Sequence, residues 1–273
     1  MRAVLGIDAA WTLHNPSGVA LAVEEAGRWR VTHAASSYPH FHGLADPRIE
    51  DRQRHSGARP DAGELLATAR KLCGFPVTMV AVDMPLSHQP IMGRRGSDNA
   101  VSSAYGGRFA GTHTPSAVRP GAISDALRAG FGAAGYPLLT GYSGGVGLIE
   151  VYPHPALIEL AGARQRLPYK HSKIARYWPA AAKAGRPALL RLLRRQWDVI
   201  VYLLEEEIDG VSTELPPLEP DVSPKQLKSY EDTLDAIICA WVAICVLEGR
   251  ARPFGDAISA VWVPKPIAEW ARR

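Results

Sequence analysis

Cysteine is scarce in this chain of 273 residues: Cys73, Cys239 and Cys245 are its three, and no two form a CxxC pair. That argues against a disulfide framework and a structural zinc site, and points to a reduced, cytoplasmic setting. Long apolar runs are missing too. The longest, Ala236 to Leu247, falls short of the roughly 20 residues a bilayer-spanning helix needs, so no membrane partner is expected. The opening residues, MRAVLGID, lack the apolar core and small-residue cleavage site of a secretory signal. Acidic residues are absent from Leu160 to Trp197.

What remains is a globular composition, 47% hydrophobic and 21% charged, with apolar material enough for a core. Gly (25) and Pro (22) are somewhat frequent, which predicts long ordered loops. The net charge of +4 is mild, but its distribution is uneven. The acid-free stretch carries ten Lys and Arg residues, from Arg164 to Arg195, interleaved with Tyr169, Tyr177, Trp178 and Trp197. A block with no basic residue follows, from Glu205 to Asp221. Basic side chains take phosphates and flat rings stack on unpaired bases, so the stretch suits a nucleic acid. A solvated helical face balanced by the acidic block would show the same pattern, and the sequence leaves both readings open.

Alternation and turn chemistry predict a three-strand antiparallel meander from VLGIDAAW (4–11), GVALAVEE (18–25) and WRVTHAASSY (29–38). Leu65, Leu66, Ala69 and Leu72 have helical spacing within 61–73. VTMVAVDMP (77–85) reads as a buried strand stopped by proline, and 86–119 as a long irregular segment. A helix is expected over 121–135, a strand over 146–155 and an amphipathic helix over 187–207. Ser223, Pro224 and Gln226 start a further helix that should run to about Glu248. AISAVWVP (257–264) is a last strand. The order fits one mixed α/β domain over 1–273, its helices packed on the sheet. It carries a loop insertion at about 86–120 and a basic helical insertion at about 155–222.

Four aspartates stand out by where they fall. Asp8 ends the first strand, Asp83 ends the central apolar strand, and Asp232 and Asp235 lie three apart on one face of the late helix. A lone aspartate at a strand end is ordinarily a turn or cap residue. The conjunction points to a cleft in which crowded carboxylates repel one another unless a hard divalent cation, Mg²⁺ or Mn²⁺, takes their oxygens. Two such ions about 4 Å apart can drive phosphodiester hydrolysis. Ala236, Cys239 and Ala243 are small and would let that helix sit close to the sheet.

The runs GIDAAWT (6–12), VAVDMPLS (80–87), IEVYPHPAL (149–157), KHSKIARY (170–177), EDTLDAIICAWVA (231–243) and AVWVP (260–264) occur in that order. Together they resemble, over nearly the whole chain, the domain of unknown function 429 family, which is similar to nucleases of the ribonuclease H fold. The resemblance implies a ribonuclease H-like mixed sheet, an antiparallel meander plus parallel strands with flanking helices. It also implies that Asp8, Asp83 and Asp235 bind metal, with Asp232 completing the catalytic set. The DxxD spacing is most similar to RuvC-type resolvases, although Asp83 stands where that group carries a glutamate. Lys170 and Lys173 belong to the resemblance and could clamp phosphate.

Arg94 and Arg95, in the loop after Asp83, are expected to contact phosphate, and ordinary salt bridges are the alternative. Glu150 is a further possible ligand, though a plain strand-end role suits it better. Gly141 to Gly145 match G-x-S-x-G, but a strand follows where a nucleophile elbow needs a helix. His33, His40, His42 and His55 fit no standard zinc spacing and read as loop residues, and Trp241 as core. The expected function is a metal-dependent nuclease or phosphodiesterase acting on DNA or RNA. The alternatives are an ATP-binding enzyme of the actin-like superfamily, since GIDAAWT followed by GVALA is superficially like its first phosphate loop, and a non-catalytic nucleic-acid-binding protein that keeps the fold.

Overall fold

Alternating residues near the start of the chain build the first half of a sheet. β1 (Ala3–Asp8), β2 (Gly18–Glu25) and β3 (Arg28–Ala35) pair antiparallel in turn. β4 (Met79–Val82) and β5 (Gly147–Val151) then add parallel to β1 and to each other. β6 (Ala251–Gly255) forms the far edge, antiparallel to β7 (Ala260–Pro264), which runs parallel to β5. The resulting order is β3-β2-β1-β4-β5-β7-β6. The computed structural model describes residues 1–46, 48, 55–142, 144–219 and 221–266. The mixed α/β class and the meander expected from the sequence are both present.

Side chains alternate across the sheet, so each face has its own core. Leu5, Ile7, Leu21, Val80 and Leu148 meet α1 (Tyr38–Ala45), α2 (Ala62–Cys73) and, beyond α3 (Gly96–Tyr105), α4 (Ala122–Ala133). The opposite face, with Val4, Ala20, Met79, Ala81 and Ile149, lies against the later helices. These are α5 (Pro153–Leu160), the short α6 (Ile174–Tyr177) and α7 (Pro179–Lys183), α8 (Arg186–Glu205), α9 (Val211–Glu214) and α10 (Pro224–Leu247). α8 is amphipathic as expected: Leu189, Leu193, Trp197, Ile200 and Leu204 are buried, while Arg186, Arg191 and Arg195 are exposed.

α10 carries the DxxD pair, and its contact with the sheet fixes where that pair goes. Ser223 and Gln226 form the expected capping box, with Pro224 at the first turn. From Tyr230 to Val246 every residue of the helix is buried. A Cβ on Gly6 would run into the carbonyl oxygen of Ala236, and one on Gly18 into that of Asp232. Glycine at these two strand positions thus admits the helix backbone to near contact with β1 and β2.

The strands over 4–11, 77–85 and 257–264 are shorter than expected, at 3–8, 79–82 and 260–264, and the structure departs further from the sequence reading in four places. The strand expected to reach Tyr38 stops at Ala35, because Ser37 Oγ accepts from His40 N at 3.3 Å and starts α1, which holds His40 and His42. The irregular 86–119 segment contains α3. The strand expected over 146–155 ends at Val151, and Pro153 opens α5. The sequence reading places no element over 251–255, where β6 forms; its Pro253 is tolerated on an edge strand. Ser143 of the G-x-S-x-G run lies outside the described residues, and β5 does follow it. Among the described residues, no helix is long and apolar enough to cross a membrane.

Candidate active site

Strand parity decides which acids can meet. On β1, Asp8 shares its face with Val4 and Gly6. On β4, Asp83 follows Met79 and Ala81. Both sets point toward α10. Ile7 pairs in register with Val82, and Asp83 N donates to the Ile7 carbonyl at 2.8 Å. Asp8 and Asp83 are therefore neighbours on adjacent parallel strands. α10 lays Asp232 over Gly18, the register partner of Asp8, and Asp235 one turn further along. The four carboxylates expected from the sequence converge.

Their protonation behaviour shows the crowding. Burial first, then the charges of Asp235 and Asp232, push Asp8 well above the usual carboxylate range. Burial, then Asp8 and Asp235, do the same to Asp83. Both side chains keep partial solvent access. Asp232 is pushed up to about 6, chiefly by burial, and its Oδ2 is buried with no hydrogen-bond partner.

Two lysines temper the repulsion. Lys170 donates to Asp235 Oδ2 and lies 3.5 Å from Glu231; Lys228, one turn before Asp232, donates to Asp232 Oδ1. Tyr169 donates its hydroxyl to the other oxygen of Asp235 at 2.7 Å, and Trp197 Nε1 anchors the Tyr169 carbonyl at 2.8 Å. Glu231 accepts from His171 N at 2.7 Å, and although burial opposes its charge, His171 and the two lysines hold it down to about 2. Lys170 is raised because Asp235, Tyr169 and Glu231 outweigh its desolvation.

Sequence reasoning missed Glu231, Tyr169 and Lys228. The signal for Lys228 was present: it sits four residues before Asp232 on a helix, the spacing of neighbours.

The remaining candidates fall elsewhere. Glu150 points to the opposite face from Ile149 and Val151, as parity requires, and binds Arg95. Arg95 is buried, and all five of its N–H groups are engaged. They go to Glu150 (2.5 and 2.8 Å), Asp98 (2.8 and 3.0 Å) and the Leu86 carbonyl (2.7 Å). It braces the loop after Asp83 and has no donor left for a phosphate. Arg94 is exposed but tied to Asn99, Ser102, Thr114 and the Asp98 carbonyl. Lys173 is half-buried and does not touch the carboxylates with a hydrogen bond or ion pair among the described residues. Beside Asp83, Trp11, His113, Tyr152, Arg95 and Glu150 line a cavity of about 50 Å³, room for a few waters.

Among the described residues, no three His, Cys, Asp or Glu side chains stand ready-placed around one point as metal ligands. The donor chemistry still fits a hard divalent ion: Asp8 and Asp83, acceptor-only once ionised, make no ion pair with a lysine among the described residues, and Asp232 has an unpartnered oxygen. Asp235 would join them once Lys170 moved aside.

These features define an α/β protein with a carboxylate cluster at the ends of parallel strands. Residues 140–259 match the family described as protein of unknown function (DUF429), the family that the quoted runs resemble. The matched stretch takes in β5, the basic segment and α10 with its DxxD pair. None of the curated proteins matches the chain.

Proposed function

We propose that this protein is a metal-dependent phosphodiesterase acting on nucleic acid, on a ribonuclease H-like sheet. The observation that carries the reading is the convergence of Asp8, Asp83, Asp232 and Asp235 from two strand ends and one helix. Carboxylates with raised pKa values, held where they repel, are poised for a cation. Asp8, Asp83 and Asp235 would hold Mg²⁺ or Mn²⁺, with Asp232 assisting. A bound divalent ion supplies a water of lowered pKa and neutralises charge on the leaving oxygen.

The chain's own residues do the rest. Tyr169 fixes the orientation of Asp235, and Trp197 fixes Tyr169. Lys170, the ammonium at the rim, is placed to neutralise charge developing on a phosphate. The exposed arginines of α8 offer a track for a polyanionic backbone.

A second reading has an observation in its favour. Lys170 and Lys228 already neutralise Asp235 and Asp232, so the cluster is tolerable without metal. A non-catalytic nucleic-acid-binding protein would look the same. The deciding experiment incubates the protein with Mg²⁺ or Mn²⁺ and a panel of single-stranded, duplex and branched DNA and RNA. Cleavage that Asp8→Asn and Asp83→Asn abolish supports the enzyme. Salt-sensitive binding with no cleavage under either metal supports the second reading.

A further inference from the structure

Arg166 lies in the acid-free segment, and among the described residues no carboxylate pairs with it. Its Nη2 donates to His154 Nε2 at 2.5 Å and to the Tyr177 hydroxyl at 3.4 Å. Its Nη1 reaches the Phe109 carbonyl at 3.4 Å. A guanidinium can only donate, so His154 Nε2 is the accepting nitrogen and the ring proton sits on Nδ1. His154 is 6% exposed, and its Nδ1 is buried with no partner. The Nε of Arg166 is also buried with no partner. The Tyr177 hydroxyl, accepting from Arg166, keeps its own hydrogen to give.

The Arg166–His154–Tyr177 group thus carries two buried donors with no acceptor, His154 Nδ1 and Arg166 Nε, and a hydroxyl with a hydrogen to give. Their surroundings are positive. Burial and then Arg166, Lys170 and Arg176 pull the Lys173 pKa down. Burial and then Arg166, Lys170 and Lys173 hold His154 neutral. The acid that reaches Lys173 electrostatically is Glu231, which is already bound by His171 and Lys170. A water would give Arg166 Nε an acceptor but leave the cations repelling one another. An anion satisfies both.

The patch borders the carboxylates. Lys170 joins the two through its pair with Asp235. The Tyr152 ring packs edge-on to His154 at 5.3 Å and lines the same cavity as Asp83.

We propose that Arg166, His154, Tyr177 and Lys173 form a phosphate-binding subsite beside the carboxylate cluster, which takes a second phosphate of the substrate. Binding itself follows from the donors and charges; the role of that phosphate rests on the hydrolytic reading above. The substrate then carries at least two phosphates, the attacked one at the carboxylates and a neighbour on Arg166. An oligonucleotide qualifies and an isolated phosphodiester does not.

The test uses the full chain without metal and inorganic pyrophosphate as the probe, read by calorimetry and thermal stability. Wild type and Asp83→Asn should both bind. Arg166→Gln and Lys173→Gln should each lose about ten-fold in affinity, the scale of one charge-assisted contact, and Arg166→Lys should lose less. Lys173→Gln keeps the test open should Arg166→Gln fold poorly. Pyrophosphate binding that neither glutamine variant weakens overturns the subsite. Oligonucleotides with and without a 5′ phosphate tell the source: an affinity that falls with that group marks a terminal phosphate, and an unchanged one that still depends on Arg166 marks an internal one. Arg166-dependent binding with no cleavage of any nucleic acid would retain the subsite and remove the hydrolytic reading. Cleavage with Arg166-independent binding would do the reverse.

Discussion

Asp83 illustrates how a single side chain can work against the fold that holds it. Burial and its neighbours Asp8 and Asp235 raise its pKa, so its charge is disfavoured in the native state. A carboxyl raised on folding contributes stability while protonated and loses it as pH climbs through the folded value. For Asp232 that window runs from 3.8 to about 6. Glu231 acts in the opposite sense and at lower pH: held near 2, it contributes above its ordinary value of 4.5 and loses that contribution as pH falls toward 2. Metal-free protein should therefore lose stability between about pH 4 and 6, and less so with Mg²⁺ present. Asp83→Asn should raise the metal-free melting temperature at neutral pH by about 2–4 °C, the shift that ~1 kcal/mol gives a chain of this size, while abolishing cleavage. A melting temperature that falls would mean that Asp83 is not repelled. Arg95 is the opposite case. Arg95→Met strands Glu150 and Asp98 as buried charges and should cost about 3–5 kcal/mol in denaturant unfolding, as breaking a buried pair does. It should act on stability, since its donors all face inward.

Among the elements, α10 does the most positioning, and it does so by the absence of side chains opposite it. Gly18→Ala would drive a methyl into the Asp232 carbonyl. Overpacking of this kind costs about 1–3 kcal/mol. Because the displaced residue belongs to the cluster, activity should fall further than stability does, and kcat measured well below the melting temperature checks this. Trp197→Phe keeps most of the α8 packing but drops the bond that anchors Tyr169. It should lower stability by about 1 kcal/mol and weaken Mn²⁺ binding through a looser Asp235.

The sequence foretold the strands and helices whose periodicity is strong: β2, α2, α8 and α10 stand within a residue or two of expectation. α3 was hidden because GSDNAVSSAY is poor in helix formers; it is secured by Arg95 and Asp98, bonded to each other at its first turn. β6 was hidden because its ladder is set by β7, not by its own residues. The acidic half of the site was legible because each aspartate sits at a strand end or on a helix face. Of the lysines that answer it, Lys228 was legible from its place four residues before Asp232, whereas the pairing of Lys170 with Asp235 was not, since it depends on tertiary packing.

Taken whole, the molecule separates its charges. Glu207 pairs with Arg250 and Asp209 with Arg28, so these two members of the acidic block answer arginines near the sheet and not the basic segment. Lys183, Arg186, Arg191 and Arg195 stay exposed on the same side of the sheet as the carboxylates. Binding to single-stranded nucleic acid should fall with salt along a log–log slope of about −3, from roughly four phosphates neutralised. A slope near zero would remove the basic segment from the interface.

Cys239 sits on the sheet-facing side of α10, fully buried, directly beneath Asp83, whose backbone it meets. Alkylating reagents reach such a thiol only when the helix lifts from the strands. The rate of its labelling would therefore time the opening of the cleft floor. Divalent ions that bridge helix and strands should slow that clock, a readout that needs neither a substrate nor a turnover.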